Sequence, residues 1–110
     1  ISPKDISCVS LSRKKQDTCC VFEGFIDFLS ALVLRTVKDE DCLVLNSVSN
    51  LPKAFPFLSR YDDIYSCLDN DTAGNSTMMA MKEKYGGHVH DLSQEYAGYK
   101  DLNEYLCRKR

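Results

Sequence analysis

Several features are missing from this chain, and each absence narrows its class. There is no excess of positive charge: 14 Lys and Arg stand against 16 Asp and Glu, for a formal net charge of −2. A domain that grips nucleic acid by itself usually presents a basic face. If nucleic acid is the substrate, metal ions or a neighbouring domain must supply the positive charge. Nor is there a spanning apolar stretch, because the longest one, Phe25 to Val37, is interrupted by Asp27, Ser30 and Arg35. A transmembrane helix needs about 20 mostly apolar residues, so no membrane partner is expected. The six cysteines contain no C-x-x-C pair, and a zinc site therefore lacks its usual spacing. Internal repeats, low-complexity segments and linkers are also missing.

What remains is an ordinary globular composition, 44% hydrophobic and 27% charged over 110 residues, enough for one domain and too short for two. Several of the cysteines fall in apolar runs, Thr18–Phe22, Cys42–Leu45 and Ile64–Leu68, where Cys behaves as a small buried hydrophobe. Reduced, structural cysteine points to the cytoplasm. No signal peptide is recognised, so the sequons at Asn70 and Asn75 read as coincidence. The start at Ile1 rather than Met suggests a piece of a larger protein.

Apolar runs alternate with helical patterns, the signature of βα units around a mostly parallel sheet. Ile6–Leu11 predicts a short strand, Ser12–Asp17 a charged turn and Thr18–Phe22 a buried strand. Gly24–Val37 carries helical spacing through Phe25, Phe28, Leu29 and Leu32. Cys42–Leu45 predicts the next strand, followed by an Asn/Ser loop over Asn46–Asn50. A short helix is expected over Pro52–Leu58, favoured by Pro near its start and shortened or kinked by Pro56. Ile64–Leu68 predicts a strand, Thr72–Tyr85 a helix stopped by Gly86-Gly87, His88–His90 a brief strand and Asp101–Cys107 a last helix. Ligands of such open sheets sit outside the carboxyl ends of the strands, where strand order reverses. Acids after the first and third core strands can meet only if those strands are neighbours, which predicts a core order of 2-1-3-4.

Three acidic clusters could carry chemistry. Asp69-Asn70-Asp71 ends the third core strand, where residues i and i+2 converge, and precedes a helix whose positive end tolerates anions. Magnesium takes hard oxygen ligands of this kind; equally, Asp71 could simply cap the helix and Asp69 serve a turn. Calcium by an EF-hand loop is excluded, because Ala73 and Ala80 occupy the fifth and twelfth positions. The string Leu68-Asp69-Asn70-Asp71-Thr72 also matches the first motif of haloacid-dehalogenase-type phosphatases, but too few residues follow it for their later motifs. Glu23 ends a buried apolar strand, where it could ligate metal or move a proton or merely favour a helix start. Asp27 lies one turn further along that helix, as a supporting acid or a solvated residue. Asp101 could reach the same rim, or cap the last helix with Glu104 three residues on. His88 and His90 form no ligand set with a third residue nearby and read as structural. Lys53 and Arg60 could meet phosphate but fit a solvated surface better.

Together these strings resemble the Toprim family, the metal-binding domain of bacterial primases, topoisomerases and some nucleases. The matching residues are Val21-Phe22-Glu23-Gly24-Phe25-Ile26-Asp27-Phe28-Leu29-Ser30, then Leu68-Asp69-Asn70-Asp71-Thr72-Ala73-Gly74, then Lys100-Asp101-Leu102-Asn103-Glu104. Their form is most similar to primase and primase-helicase members, including those of plasmids and mobile elements. One departure is the loop after the second core strand. The family often has Gly there, whereas Ser47 lacks glycine's backbone freedom.

The resemblance implies a three-layer α/β Toprim-like (Rossmann-like) fold with a four-stranded, mainly parallel sheet and an extra N-terminal strand. Residues 1–17 would lead in from an upstream region and residues 18–110 would form the domain. It implies Glu23 as acid/base or ligand, Asp69 and Asp71 as Mg²⁺ (or Mn²⁺) ligands, Asp101 completing a second ion site and Asp27 supporting. Two ions about 4 Å apart could activate a 3′-hydroxyl and stabilise a leaving pyrophosphate. The implied function is primer synthesis in DNA replication or mobile-element transfer. Its partners would be nucleoside triphosphates, a single-stranded DNA template held by neighbouring domains, and a helicase or other replication proteins. A nuclease using the same ions and a non-catalytic interaction module are the alternatives.

Overall fold

Short β-branched, aromatic and Cys-containing runs between turn residues form the strands of a single sheet in the computed structural model, which describes residues 5–109. The first four positions of the 1–17 lead-in and Arg110 lie outside the described residues. The strands are β1 (Ser7–Ser10), β2 (Thr18–Phe22), β3 (Asp41–Val44), β4 (Asp63–Cys67) and β5 (Val89–Asp91). They stand in the order β1-β3-β2-β4-β5. Thus β3, β2, β4 and β5 keep the 2-1-3-4 order and pair in parallel, while β1 adds antiparallel at the β3 edge. The central pair brings Phe22 opposite Cys67, so the residues that follow each strand emerge side by side.

Helices cover both faces, as parallel sheets require. On one side α2 (Leu51–Leu58) and α3 (Thr72–Tyr85) pack Ala54, Leu58 and Met81 onto Val21, Leu43 and Ile64. On the other, α1 (Phe25–Leu34) and α4 (Leu102–Lys109) pack Phe28, Ala31 and Leu102 onto Phe22, Val44 and Cys67. All six cysteines are free, with Cys19, Cys20, Cys42 and Cys67 buried in strands. Among the described residues no helix is long and apolar enough to cross a membrane.

Several predicted boundaries shift. Helix α1 stops at Arg35, which adopts the left-handed conformation at φ 59°, so Val37 joins the core from a loop. Pro56 lies inside α2 without ending it. His88 sits in a 3-10 turn over Gly86–His88, leaving only His90 on β5. The left-handed residue of the loop after β3 is Asn46, at φ 64°, a residue type that tolerates this region. Ser47 is extended and needs no glycine-like freedom.

The apolar spacing of α1 does not show which of its faces is buried. Of Phe25, Phe28, Leu29 and Leu32, only Phe28 is in the core. Phe25, Ile26, Leu29, Leu32 and Val33 face outward, while Asp27 and Ser30 are buried. The helix is apolar nearly all round, so its period shows a helix without showing its inner face. Partners on α4 decide it. The Asn103 amide donates to Asp27 Oδ1 at 3.2 Å, and the Ser30 hydroxyl lies 3.2 Å from Asn103 Oδ1.

Helix α3 begins unusually close to the end of β4. A methyl group on Gly74 would lie 2.0 Å from the Asp69 carbonyl oxygen, a backbone atom that cannot swing aside. Ala normally favours a helix over Gly by about 1 kcal/mol; here the sign should reverse. Gly74→Ala is expected to destabilise the chain by roughly 1–3 kcal/mol in urea unfolding. Gly87→Ala, where the added methyl meets nothing within 4 Å, should stay within about 0.5 kcal/mol of the parent. A neutral Gly74→Ala would contradict the close approach.

Candidate metal centre

The carboxyl ends of β2 and β4 each release an acid at the same rim of the sheet. Glu23 follows β2 directly, and its backbone carbonyl is held by the Asn46 amide at 2.9 Å. Asp69 follows β4 by two residues, and its amide donates to Glu23 Oε1 at 3.4 Å. Asp71 caps α3, accepting the Gly74 amide at 2.7 Å on Oδ1. Capping and ligation are compatible, because a carboxylate has a second oxygen. Glu23, Asp69 and Asp71 each offer an oxygen within 4.8 Å of the other two.

A second group shares one member with the first. Asp27, Asp69 and Asp101 also bring carboxylate oxygens within 4.8 Å of one another. Asp27 reaches the site from the first turn of α1, held by the Asn103 amide of α4. Asp101 caps α4, accepting the Glu104 amide at 2.8 Å, and Glu104 reaches back to the Lys100 amide at 3.1 Å. The five predicted acids therefore converge as two overlapping triads with Asp69 common to both. The two aspartates of Asp69-Asn70-Asp71 meet in the loop beyond β4, which ends at Cys67, rather than by alternation along the strand.

Without a cation, this arrangement is electrostatically unfavourable. Burial, then the charges of Glu23, Asp27, Asp101 and Asp71, raise the Asp69 carboxyl to about 7. Burial likewise lifts Asp27 to about 6, against the opposing Asn103 amide, with Asp101 and Glu23 adding repulsion. Glu23 is also raised, mainly by burial, and Lys100 partly offsets the repulsion from Asp71. Asp69 Oδ1 is buried and finds no hydrogen-bond partner among the described residues, an omission costing about 1–3 kcal/mol. An orphaned carboxylate oxygen, hard oxygen donors and crowded like charges fit a divalent cation such as Mg²⁺.

The other candidates lie elsewhere. His90 pairs with Asp63 at 2.9 Å and stacks on Tyr65, while His88 Nδ1 meets the Asp62 carbonyl; both are structural. Lys53 pairs with Asp5 at the surface, and Arg60 lies over the Phe57 ring.

Two contributors escaped the sequence reading. The Asn70 side-chain amide donates towards the carbonyls of Ser93, Tyr96 and Tyr99, at 3.4, 3.2 and 2.9 Å. The buried Tyr96 hydroxyl donates to the Leu68 carbonyl at 2.6 Å. Their acceptors lie more than twenty residues away along the chain, and no local spacing could have indicated them.

Residues 20–106 match the family described as Toprim-like. No curated protein matches the chain at a significant level. Among solved structures, the primase fragment of the bacteriophage T7 primase-helicase protein matches with a TM-score of 0.69 and 21% identity, over 86% of this chain and 40% of that one. A second match is one chain in the structure of a complex in which the bacteriophage T7 lagging-strand DNA polymerase interacts with primase domains of two gp4 subunits bound to an RNA/DNA hybrid and dTTP. Its TM-score is 0.66 at 20% identity, over 86% of this chain and 49% of that one. A small TOPRIM domain protein from Bacillus stearothermophilus matches at 0.51 and 18% identity, over 88% of both chains. The chain thus spans under half the length of the first two.

The raised carboxyls give a pH dependence of defined sign. Asp69 at about 7 and Asp27 at about 6 lie above the ordinary aspartate value of about 3.9 that the unfolded chain has. Between these values the folded state binds more protons, so stability falls as pH rises through the window. In EDTA, melting at about pH 5.5 should exceed that at about pH 7.5 by on the order of 5 °C. Asp69→Asn should flatten the profile. A metal-free melting temperature that climbs towards neutrality would refute the crowded-carboxylate description.

Proposed function

Since the chain belongs to the Toprim-like family, we propose that it is the metal-binding catalytic module of a primase-like protein that joins nucleotides into primers. The observation that carries this reading is the pair of carboxylate triads sharing Asp69 at the rim between β2 and β4. Glu23, Asp69 and Asp71 would hold one Mg²⁺ or Mn²⁺; Asp27, Asp69 and Asp101 would hold a second. Bound there, such ions supply Lewis-acid stabilisation of charge on the attacking and leaving oxygens.

The chain's own groups supply the rest. In primer extension a 3′-hydroxyl oxygen bonds to the α-phosphorus of a nucleoside triphosphate, the bond to the β-phosphate oxygen breaks, and pyrophosphate leaves. Glu23, at the end of β2 with its carboxyl raised by burial, is suited to accept the hydroxyl proton. Lys100, whose charge is felt at Glu23, offers a cation to the triphosphate at the rim. The Asn70 and Tyr96 hydrogen bonds keep the rim loops in place.

The net charge of −2 leaves the single-stranded template to a basic neighbouring domain, with a helicase or other replication proteins as further partners. Free, buried cysteines and the lack of a spanning helix among the described residues are consistent with a cytoplasmic setting. The fold likeness to primase domains favours synthesis over cleavage. Replication of a mobile element is one context in which such a module would work.

Thermal unfolding with added Mg²⁺ or Mn²⁺ tests the centre. At ten- to hundredfold excess over Kd, the wild-type chain should gain about 1.4–2.7 kcal/mol, and Asp69→Asn/Asp71→Asn should gain nothing. No gain in the wild type would remove the metal reading. The polypeptide with its neighbouring domains should then extend primers on single-stranded DNA; nicking without synthesis would assign it to cleavage instead.

A further inference from the structure

The two triads are not equally well founded in the fold. Glu23 leaves a central strand, and Asp69 and Asp71 occupy the short link from β4 into the first turn of α3. Regular structure on both sides fixes these three. Asp101 is different. It follows a segment, residues 92–100, that contains only a 3-10 turn at Ser93–Tyr96 and lies beyond the last strand. Helix α4, with Leu102 buried and the Asn103 amide on Asp27, holds Asp101 from one side, and whatever fastens the 92–100 segment holds it from the other.

Asn70 is its main fastening on the β4 side. One side-chain amide with two N–H donors faces three carbonyls, those of Ser93, Tyr96 and Tyr99. The Asn70 backbone amide adds a bond to the Lys100 carbonyl, next to Asp101. Tyr96 reinforces the same attachment through Leu68. The residue between the two first-triad aspartates therefore governs a ligand of the second triad. A carboxylate at position 70 could not substitute, because an acceptor would face three acceptors.

We propose that Asn70 is a positioning residue that makes the second cation pocket conditional. Asp101 joins Asp27 and Asp69 only while Asn70 holds the 93–100 segment against the end of β4. The first pocket, built from Glu23, Asp69 and Asp71, does not depend on this latch. The inference rests on the metal reading given above and adds to it which residue controls the second ion.

Mn²⁺ binding to the 110-residue chain, counted by calorimetry and by the paramagnetic resonance of free Mn²⁺, separates the possibilities. The wild type should bind two ions with distinct affinities. Asn70→Ala and Asn70→Asp should keep the tighter ion and weaken the other roughly 10- to 100-fold, the usual effect of losing a group that orients a ligand. Asp101→Ala, which leaves the latch intact, should give the same pattern. Tyr96→Phe, a milder change, should weaken the second ion in the same direction and serves if the Asn70 variants do not fold. Both ions binding normally in Asn70→Ala would overturn the proposal, and so would equal weakening of both ions in folded variants. A wild type that binds no Mn²⁺ would instead overturn the metal reading beneath it.

Discussion

Asp69 carries a half-buried carboxylate with four other acids around it and one buried oxygen that no hydrogen bond from the described residues satisfies. Taken alone, that is a destabilising arrangement, and much of the surrounding architecture follows from maintaining it. Adjacent parallel strands bring Glu23 to it. The tight start of α3, made possible by Gly74, fixes its backbone. Helix α1 turns a polar side inward so that Asp27 can reach it, and α4 supplies the amide that makes this tolerable. A fold optimised for stability alone would separate these charges.

Much of this was legible in the sequence. The βα alternation, the neighbouring of the first and third core strands and the convergence of Glu23, Asp69 and Asp71 follow from strand runs and from where acids end them. Asp101 entered through the family pattern rather than from its own position, and the structure joins it to Asp27 and Asp69. Less legible was the burial of Asp27, expected as a supporting acid or a solvated residue, whose carboxylate lies within 4.8 Å of those of Asp69 and Asp101. Its burial depends on Asn103, seventy-six residues away. The same long-range partner decides the inner face of α1, whose apolar residues fit either face. Periodicity reports local geometry; it does not report which of two acceptable faces a distant helix will cover.

Polar contacts across the fold were the least accessible. Nothing in the sequence singled out Asn70, between the two aspartates, or Tyr96. Both serve long separations, where the geometry of a carbonyl on one element meets a donor on another. Such pairings leave no period, and only their donors' residue types hint at them. The strand expected over His88–His90 is present one residue later, at Val89–Asp91, with His88 in the preceding 3-10 turn and its ring against the Asp62 carbonyl.

Two of the acids also hold up the helices that follow them. Asp71 caps α3 and Asp101 caps α4, so each carries a folding duty independent of any cation. For a lineage that no longer needs the chemistry, this limits the routes of decay. Replacement by Asn or Ser would silence a ligand while keeping a cap, whereas replacement by Ala would cost about 1 kcal/mol of fold at each site. Descendants that abandoned catalysis would accordingly be recognisable by polar, uncharged residues at these two positions and freer variation at Glu23, which caps nothing.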